Sequence, residues 1–229
     1  MATLKERLSQ LHSRISSTAQ SCDRDPSDIM LLAVSKTRPV EDIREAVAAG
    51  QRAFGENYLQ DALPKIHALQ DLALEWHFIG RIQSNKTRDI AENFSWVHAL
   101  DKFKHARRLN DQRPPDLPPL NACIQLNLTG EQSKGGIDAQ ELPGLLEKLL
   151  QLPHLRIRGL MTMPPANAGE TVQHQVFGDL RKLLQKMNAQ GHNLDTLSMG
   201  MSGDMQAAIC EGATMVRIGT AIFGPRNST

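Results

Sequence analysis

The chain has 229 residues, 40% of them hydrophobic and 22% charged, with a formal net charge of +1. This length and apolar content suit a globular fold with a sizeable core, and the near-neutral charge removes the electrostatic case for nucleic acid or an anionic membrane surface as partner. No apolar run approaches the ~18–20 residues of a membrane span, and the opening "MATLKERLSQLHSRISS" is charged and helix-patterned rather than signal-like.

Leu4, Leu8, Leu11 and Ile15 share one helical face, and "SCDRDPSD" breaks that first helix. An alternation follows. "IMLLAVS" is a strand and "PVEDIREAVAAG" a helix, with Pro39 near its first turn and Gly50 at its end. "QRAFGE" is a short strand before a helix over Tyr58–Leu69. "EWHFIG" precedes a helical "NKTRDIAENF", and "SWVHAL" precedes "DKFKHARRLN". "NACIQLNL" leads to a helix marked by Leu142, Leu145, Leu146 and Leu149. "RIRGLMTM" leads to a helix from Val172 to Met187, and "LDTLSMGM" to one over "DMQAAICEG". "TMVRIG" is the last strand, after which Thr220 opens the tail "TAIFGPRNST".

Strand–helix alternation implies parallel strands with right-handed crossovers. Eight such strands predict a (β/α)8 TIM barrel in the α/β class, preceded by an extra N-terminal helix placed to cover the flank that the short tail leaves open. An open doubly wound sheet is the competing architecture. The Pro-rich "DQRPPDLPPL" reads as a loop, because the alternation resumes beyond it, so residues 1–229 are taken as one barrel domain.

Cys22, Cys123 and Cys210 are odd in number, far apart in sequence and without a CxxC pair. They predict no disulfide framework and a reducing, cytoplasmic location. The eight histidines have no ligand spacing, so no metal is expected, and His77 in "EWHFIG" reads as a satisfied strand residue.

In a TIM barrel, sites form at the C-terminal ends of the strands. Lys36 ends the first strand. It is either a surface lysine or a Schiff-base amine. The second role needs its pKa of about 10.4 lowered by roughly three units, about 4 kcal/mol, through desolvation or nearby cations. Arg217 is positioned to supply part of that field. "MGMSGDM" and "RIGTAIFG", at the ends of strands seven and eight, each set Gly beside Ser or Thr, a pattern that admits an anion to backbone amides and hydroxyls or serves as an ordinary turn. A lysine facing a phosphate cradle suits pyridoxal phosphate. Arg217 shares the parity of Gly219 and either faces the cofactor's pyridine nitrogen or fills the barrel beside a carboxylate.

"LLAVSKTRP", "FGENYLQDALPKI", "WHFIGRIQSNK", "RGLMTMP", "LSMGMSGDM" and "MVRIGTAIFG" resemble, in order and over nearly the whole chain, the pyridoxal phosphate homeostasis proteins, which are similar to the N-terminal barrel of alanine racemases. The resemblance implies a fold-type-III barrel with the cofactor on Lys36. It also implies that Ser202, Gly203, Gly219 and Thr220 hold the phosphate, that Arg217 faces the ring nitrogen, and that Asn57 lies near the cofactor. "GRIQ" for the usual "GPLQ", and Gln206 where an acid is common, depart from the pattern without touching these anchors.

Racemisation needs two opposed bases. Alanine racemases take the second from a tyrosine of another domain, whereas this sequence ends soon after strand eight and its one tyrosine is Tyr58. An arginine at the ring nitrogen also weakens the cofactor as an electron sink. The expectation is therefore a carrier without robust catalytic activity, holding pyridoxal phosphate as a Schiff base in vitamin B6 and amino-acid homeostasis. PLP-dependent apoenzymes would be its recipients, and the chain would be a monomer or weak dimer. The rivals are a weak amino-acid racemase and a Schiff-base aldolase. Lys86 in "QSNK" and Lys134 in "EQSKGG" read as solvated surface lysines rather than a secondary cofactor site.

Overall fold

A computed structural model describes residues 2–131, 135–165 and 167–225. Eight parallel strands close into a barrel in sequence order: β1 (Met30–Val34), β2 (Ala53–Glu56), β3 (Glu75–Phe78), β4 (Trp96–Leu100), β5 (Leu120–Gln125), β6 (Leu155–Met161), β7 (Thr196–Ser198) and β8 (Met215–Ile218). Closure is made by β8 pairing with β1, Leu32 opposite Arg217 and Ala33 opposite Ile218. The doubly wound alternative is thereby excluded.

Helix α1 (Leu4–Ser21) precedes the barrel. Between strands, or after them, lie α2 (Val40–Ala48), α3 (Leu59–Ala68), α4 (Thr87–Asn93), α5 (Phe103–Gln112), α6 (Leu142–Leu149), α7 (Glu170–Ala189), α8 (Met205–Cys210) and the single turn α9 (Thr220–Phe223). Strand parity divides the core. Leu31, Ala33, Phe54, Val97 and Val216 join the helices in an outer layer. Leu32, Ala53, Trp96, Cys123, Met161 and Met215 fill the lumen. Each strand thus buries both faces, which is why the sequence shows near-continuous apolar runs there.

Two predicted strands end three residues early. Strand seven stops at Ser198 because Gly200 takes a φ of +95°, where an added Cβ would lie 2.6 Å from Ala208 Cβ; the chain turns there into α8. Strand five stops at Gln125; beyond it Leu126 donates to the Met161 carbonyl and forms an isolated bridge with Ile137 across the following loop.

α1 covers the flank between α2, α8 and α9, as its apolar face predicts. A Thr3–Glu6 capping box opens it, and Leu4, Leu8, Leu11, Ile15 and Ala19 are buried. Arg7 donates to the Ile222 carbonyl, and Arg24 donates to those of Ile209 and Ala213. This packing corrects one expectation. Cys22 and Cys210, 188 positions apart, meet at a Cα separation of 5.2 Å and form a disulfide. Distance along the chain carried no information here, because both residues sit at helix ends that the docking of α1 on α8 brings together. Cys123 is free and buried in the lumen, and burial pushes its thiol up to about 12.

Beneath the loop after β1 lies a buried polar knot. The Ser35 hydroxyl donates to Glu56 Oε1 at 2.6 Å, and Lys65 Nζ of α3 donates to the same oxygen and to the Ser35 carbonyl, each at 2.9 Å. The Lys65 and Glu56 side chains are 8% and 0% exposed, so the pair is desolvated. Burial raises the Glu56 pKa more than Lys65 and Ser35 lower it.

Two predictions follow from this packing. Reduced protein, or a Cys210→Ser variant, is expected to be less stable than oxidised protein by about 2–5 kcal/mol while keeping its fold; matching urea midpoints for the two forms contradict this. Lys65→Met leaves Glu56 without a counter-charge and is expected to cost about 3–5 kcal/mol, most of it recovered in Lys65→Met/Glu56→Leu. A carboxyl whose folded pKa is raised binds its proton more tightly when folded. The Lys65→Met deficit is therefore full above that pKa and shrinks as the pH falls through it. Urea titrations at neutral and mildly acidic pH check the sign; a deficit unchanged by pH speaks against it.

Candidate functional site

The residues singled out in the sequence come from four strands that are consecutive around the barrel, in the order β7, β8, β1, β2. Lys36 follows β1 and has the parity of the lumen-facing Leu32. It is half-buried, between two anchored neighbours. Ser35 is held by the Glu56–Lys65 knot, and Arg38 donates to the Gly224 and Pro225 carbonyls while lying over the Phe223 ring. Between them Thr37 takes a φ of +62°, a left-handed conformation that costs a β-branched residue roughly 1–3 kcal/mol. The loop that presents the lysine is therefore determined by its neighbours rather than by local preference.

Asn57 follows β2. Its Oδ1 is buried and has no hydrogen-bond partner among the described residues. The turn that places it exists because residue 80 is glycine: a Cβ there would fall 2.1 Å from the Asn57 carbonyl oxygen. Tyr58, 54% exposed, comes next. Asn57, Tyr58, Arg81, Gln83 and Lys86 line a shallow cleft beside the mouth of the barrel. Lys86 is thus half-buried in a cleft rather than fully solvated, as the sequence reading had it. Lys134 lies outside the described residues.

Ser202 and Gly203 lie in the turn between β7 and α8, both exposed. Asp204 ties that turn by accepting from the Met201 amide at 2.5 Å, and among the described residues no backbone bond engages the amides of Ser202 or Gly203. Gly219 and Thr220 join β8 to α9, with the Thr220 side chain at the surface. Two turns rich in small residues and hydroxyls therefore stand at neighbouring strand ends, with Lys36 on the next strand.

Arg217 points into the lumen and is 4% exposed. Its Nη1 donates to Ser198 Oγ at 2.8 Å and its Nη2 to the Thr162 carbonyl at 3.1 Å. No carboxylate lies within ion-pair distance of it among the described residues, and Asp204 acts on it from further away. Burial lowers its pKa to about 10, with nearby Asp204 opposing the shift, and the guanidinium stays charged near neutral pH. Among the described residues, three of its five N–H groups remain for other acceptors.

Sequence reasoning missed the Ser35–Glu56–Lys65 knot. Its signal was a carboxylate closing the apolar run "AFGE", the same kind of anomaly as Lys36. It also passed over His98 and Ser198, which share the lumen with Arg217; His77 and His98 occupy the same place in "WHF" and "VHA".

Residues 7–227 match the family described as alanine racemase, N-terminal domain. The chain is 56% identical over 227 residues to the pyridoxal phosphate homeostasis protein of Pseudomonas aeruginosa, covering 99% of this chain and 97% of that one. The structure of PipY from Synechococcus elongatus, with PLP bound, superposes with a TM-score of 0.86 at 38% identity, over 97% of this chain and all of that one. An alanine racemase from Corynebacterium glutamicum shares the fold at a TM-score of 0.67 and 20% identity, this chain spanning 60% of its length. A full-length match at this identity, on a barrel of the same topology, places the chain in the family of pyridoxal phosphate homeostasis proteins.

Proposed function

We propose that this chain, acting over residues 1–229 as one barrel domain, binds pyridoxal 5'-phosphate covalently at Lys36 and serves as a carrier in vitamin B6 and amino-acid homeostasis. The observation that carries the reading is the single arc of strand ends on which an amine, a buried guanidinium and two hydroxyl-bearing glycine turns converge. The PLP-bound state of a 38% identical neighbour supports it.

The residues fit the group. Asn57 Oδ1, buried and without a hydrogen-bond partner among the described residues, offers an acceptor. The free amides of Ser202 and Gly203, with the hydroxyls of Ser202 and Thr220 and the approach allowed by Gly219, suit a phosphate. Pyridoxal phosphate supplies an aldehyde that a neutral lysine amine takes up as a Schiff base with loss of water. Lys36 provides that amine in this reading. If Arg217 faced the ring nitrogen, its fixed positive charge would disfavour protonation there and so the electron withdrawal that racemisation needs. The knot around Ser35 and the bonds of Arg38 hold the Lys36 loop in place.

Carrier function also requires delivery. PLP-dependent apoenzymes are the recipients in this reading, in the cytoplasm, where the Cys22–Cys210 pair meets a reducing pool. The chain is read as a monomer or weak dimer. A weak racemase is the second reading, favoured only by Tyr58, the one tyrosine, standing next to Asn57 at the mouth.

Borohydride reduction and peptide mapping are expected to place the pyridoxyl group on the peptide containing Lys36; label chiefly on Lys86 or Lys134 contradicts the assignment. Ser202→Ala and Thr220→Val are each expected to weaken pyridoxal phosphate about 10- to 150-fold while changing unphosphorylated pyridoxal far less. Equal losses for the two ligands in titrations would remove these residues from the phosphate site. Holoprotein incubated with L-alanine in deuterated water is expected to show no robust Cα exchange; exchange accompanied by the D-isomer restores the racemase.

A further inference from the structure

A line of polar side chains crosses the lumen of the barrel. Glu75 opens β3 at the N-terminal mouth, with its side chain 40% exposed. His77 Nε2 lies 2.7 Å from Glu75 Oε1, His77 Nδ1 lies 2.9 Å from His98 Nε2, and His98 Nδ1 lies 2.7 Å from Ser198 Oγ. The Ser198 oxygen accepts from Arg217 at 2.8 Å. Both imidazoles are fully buried, and Trp96 stacks on His77 with ring centroids 5.4 Å apart. The line therefore runs unbroken from one mouth of the barrel to the guanidinium below the other.

The two ends determine where every proton sits. Arg217 only donates and the Glu75 carboxylate only accepts. Ser198 accepts from Arg217 and still has a proton to give, and the Glu75 end fixes where it goes: a neutral His77 that donates its Nε2 proton to Glu75 must accept at Nδ1 from His98 Nε2, so His98 Nδ1 accepts from the Ser198 hydroxyl. His98 then carries its proton on Nε2 and donates to His77 Nδ1. His77 in turn carries its proton on Nε2 and donates to Glu75. Each ring nitrogen has one partner and each proton one position, with both imidazoles neutral. Burial, which pulls the pKa of both histidines down, agrees with this state. The other groups facing the line are Arg158 and the Trp96 indole at Glu75, and Asp204 and the Cys123 thiol at Arg217.

We propose that Glu75, His77, His98 and Ser198 are positioning residues: a one-directional hydrogen-bond chain through the lumen that ties Arg217 to a carboxylate at the opposite mouth and so sets its orientation and donor strength toward the bound ligand. The ligand part rests on the pyridoxal phosphate reading; the chain itself does not. Consecutive hydrogen bonds in a low-dielectric interior polarise one another, so the charge on Glu75 is felt along the line. The arrangement also links a buried cation to a carboxylate through hydrogen bonds, leaving Arg217, among the described residues, three N–H groups for other acceptors.

Nitrogen-15 NMR of the protein without cofactor tests the chain directly. His77 and His98 are both expected as neutral Nε2–H tautomers near neutral pH. Glu75→Gln keeps the shape of the half-exposed terminal residue but removes its charge. It is expected to shift the ring signals of His98 and the guanidinium signals of Arg217, neither of which it touches. An Nδ1–H tautomer or an imidazolium at either histidine overturns the proposal, as do Arg217 signals unmoved in Glu75→Gln. In the loaded protein the same variant is expected to shift the visible band of the bound cofactor and to lower affinity for pyridoxal phosphate and pyridoxal together, about 3- to 10-fold. A band and affinities equal to wild type also overturn it. If wild-type protein takes up no pyridoxal phosphate, the function proposed above fails instead, and the NMR result alone decides the chain.

Discussion

The pairing of β8 with β1 is the constraint on which the rest of the molecule depends. Eight parallel strands left as an open sheet would keep Lys36 and Arg217 at opposite edges. Closure sets Leu32 beside Arg217 and brings the ends of β7, β8, β1 and β2 into one arc. The pairing is reinforced from outside. α1 packs across α8, α9 and α2, the Cys22–Cys210 bond and the contacts of Arg24 fasten it to α8, and Arg38 holds the chain that follows α9. Whatever binds at that mouth therefore acts on a surface assembled from both ends of the chain.

The interior handles charge in two contrasting ways. Between sheet and helices, Glu56 and Lys65 are in direct contact, and their cost of desolvation is offset in part by each other and by Ser35. In the lumen, Arg217 donates, among the described residues, to a hydroxyl and a carbonyl, with Asp204 acting on it without a hydrogen bond and a carboxylate reached through hydrogen bonds four links away at Glu75. The first arrangement neutralises a charge and anchors a loop. The second keeps a charge available. A cation offered to a ligand at a barrel mouth needs the second kind, since a directly bonded carboxylate would compete for its donors.

Several readings were legible because they rest on local physics. The apolar face of α1 follows from a 3.6-residue period, the barrel from eight apolar runs alternating with helical ones, and the anomaly of Lys36 from a charged residue closing a buried strand. Other features were not legible because they depend on register. His77, His98 and Ser198 are ordinary strand residues until β3, β4 and β7 are wrapped around a common axis. Lys65 looks like a surface residue of α3 until that helix docks over β2. The Cys22–Cys210 bond failed for the same reason, because spacing in sequence does not report proximity across a closed ring.

The sequence by itself determined which segments become strand and helix, the order in which they alternate, and the identity of the groups that stand at the strand ends. Those properties follow from side-chain period and turn chemistry, which act over a few residues. Only the tertiary structure decided which strand ends are neighbours, which charges are desolvated, and in which direction the protons of the lumen point. Those depend on strand closure and register, where a pair of residues 188 positions apart is as close as adjacent turns of one helix.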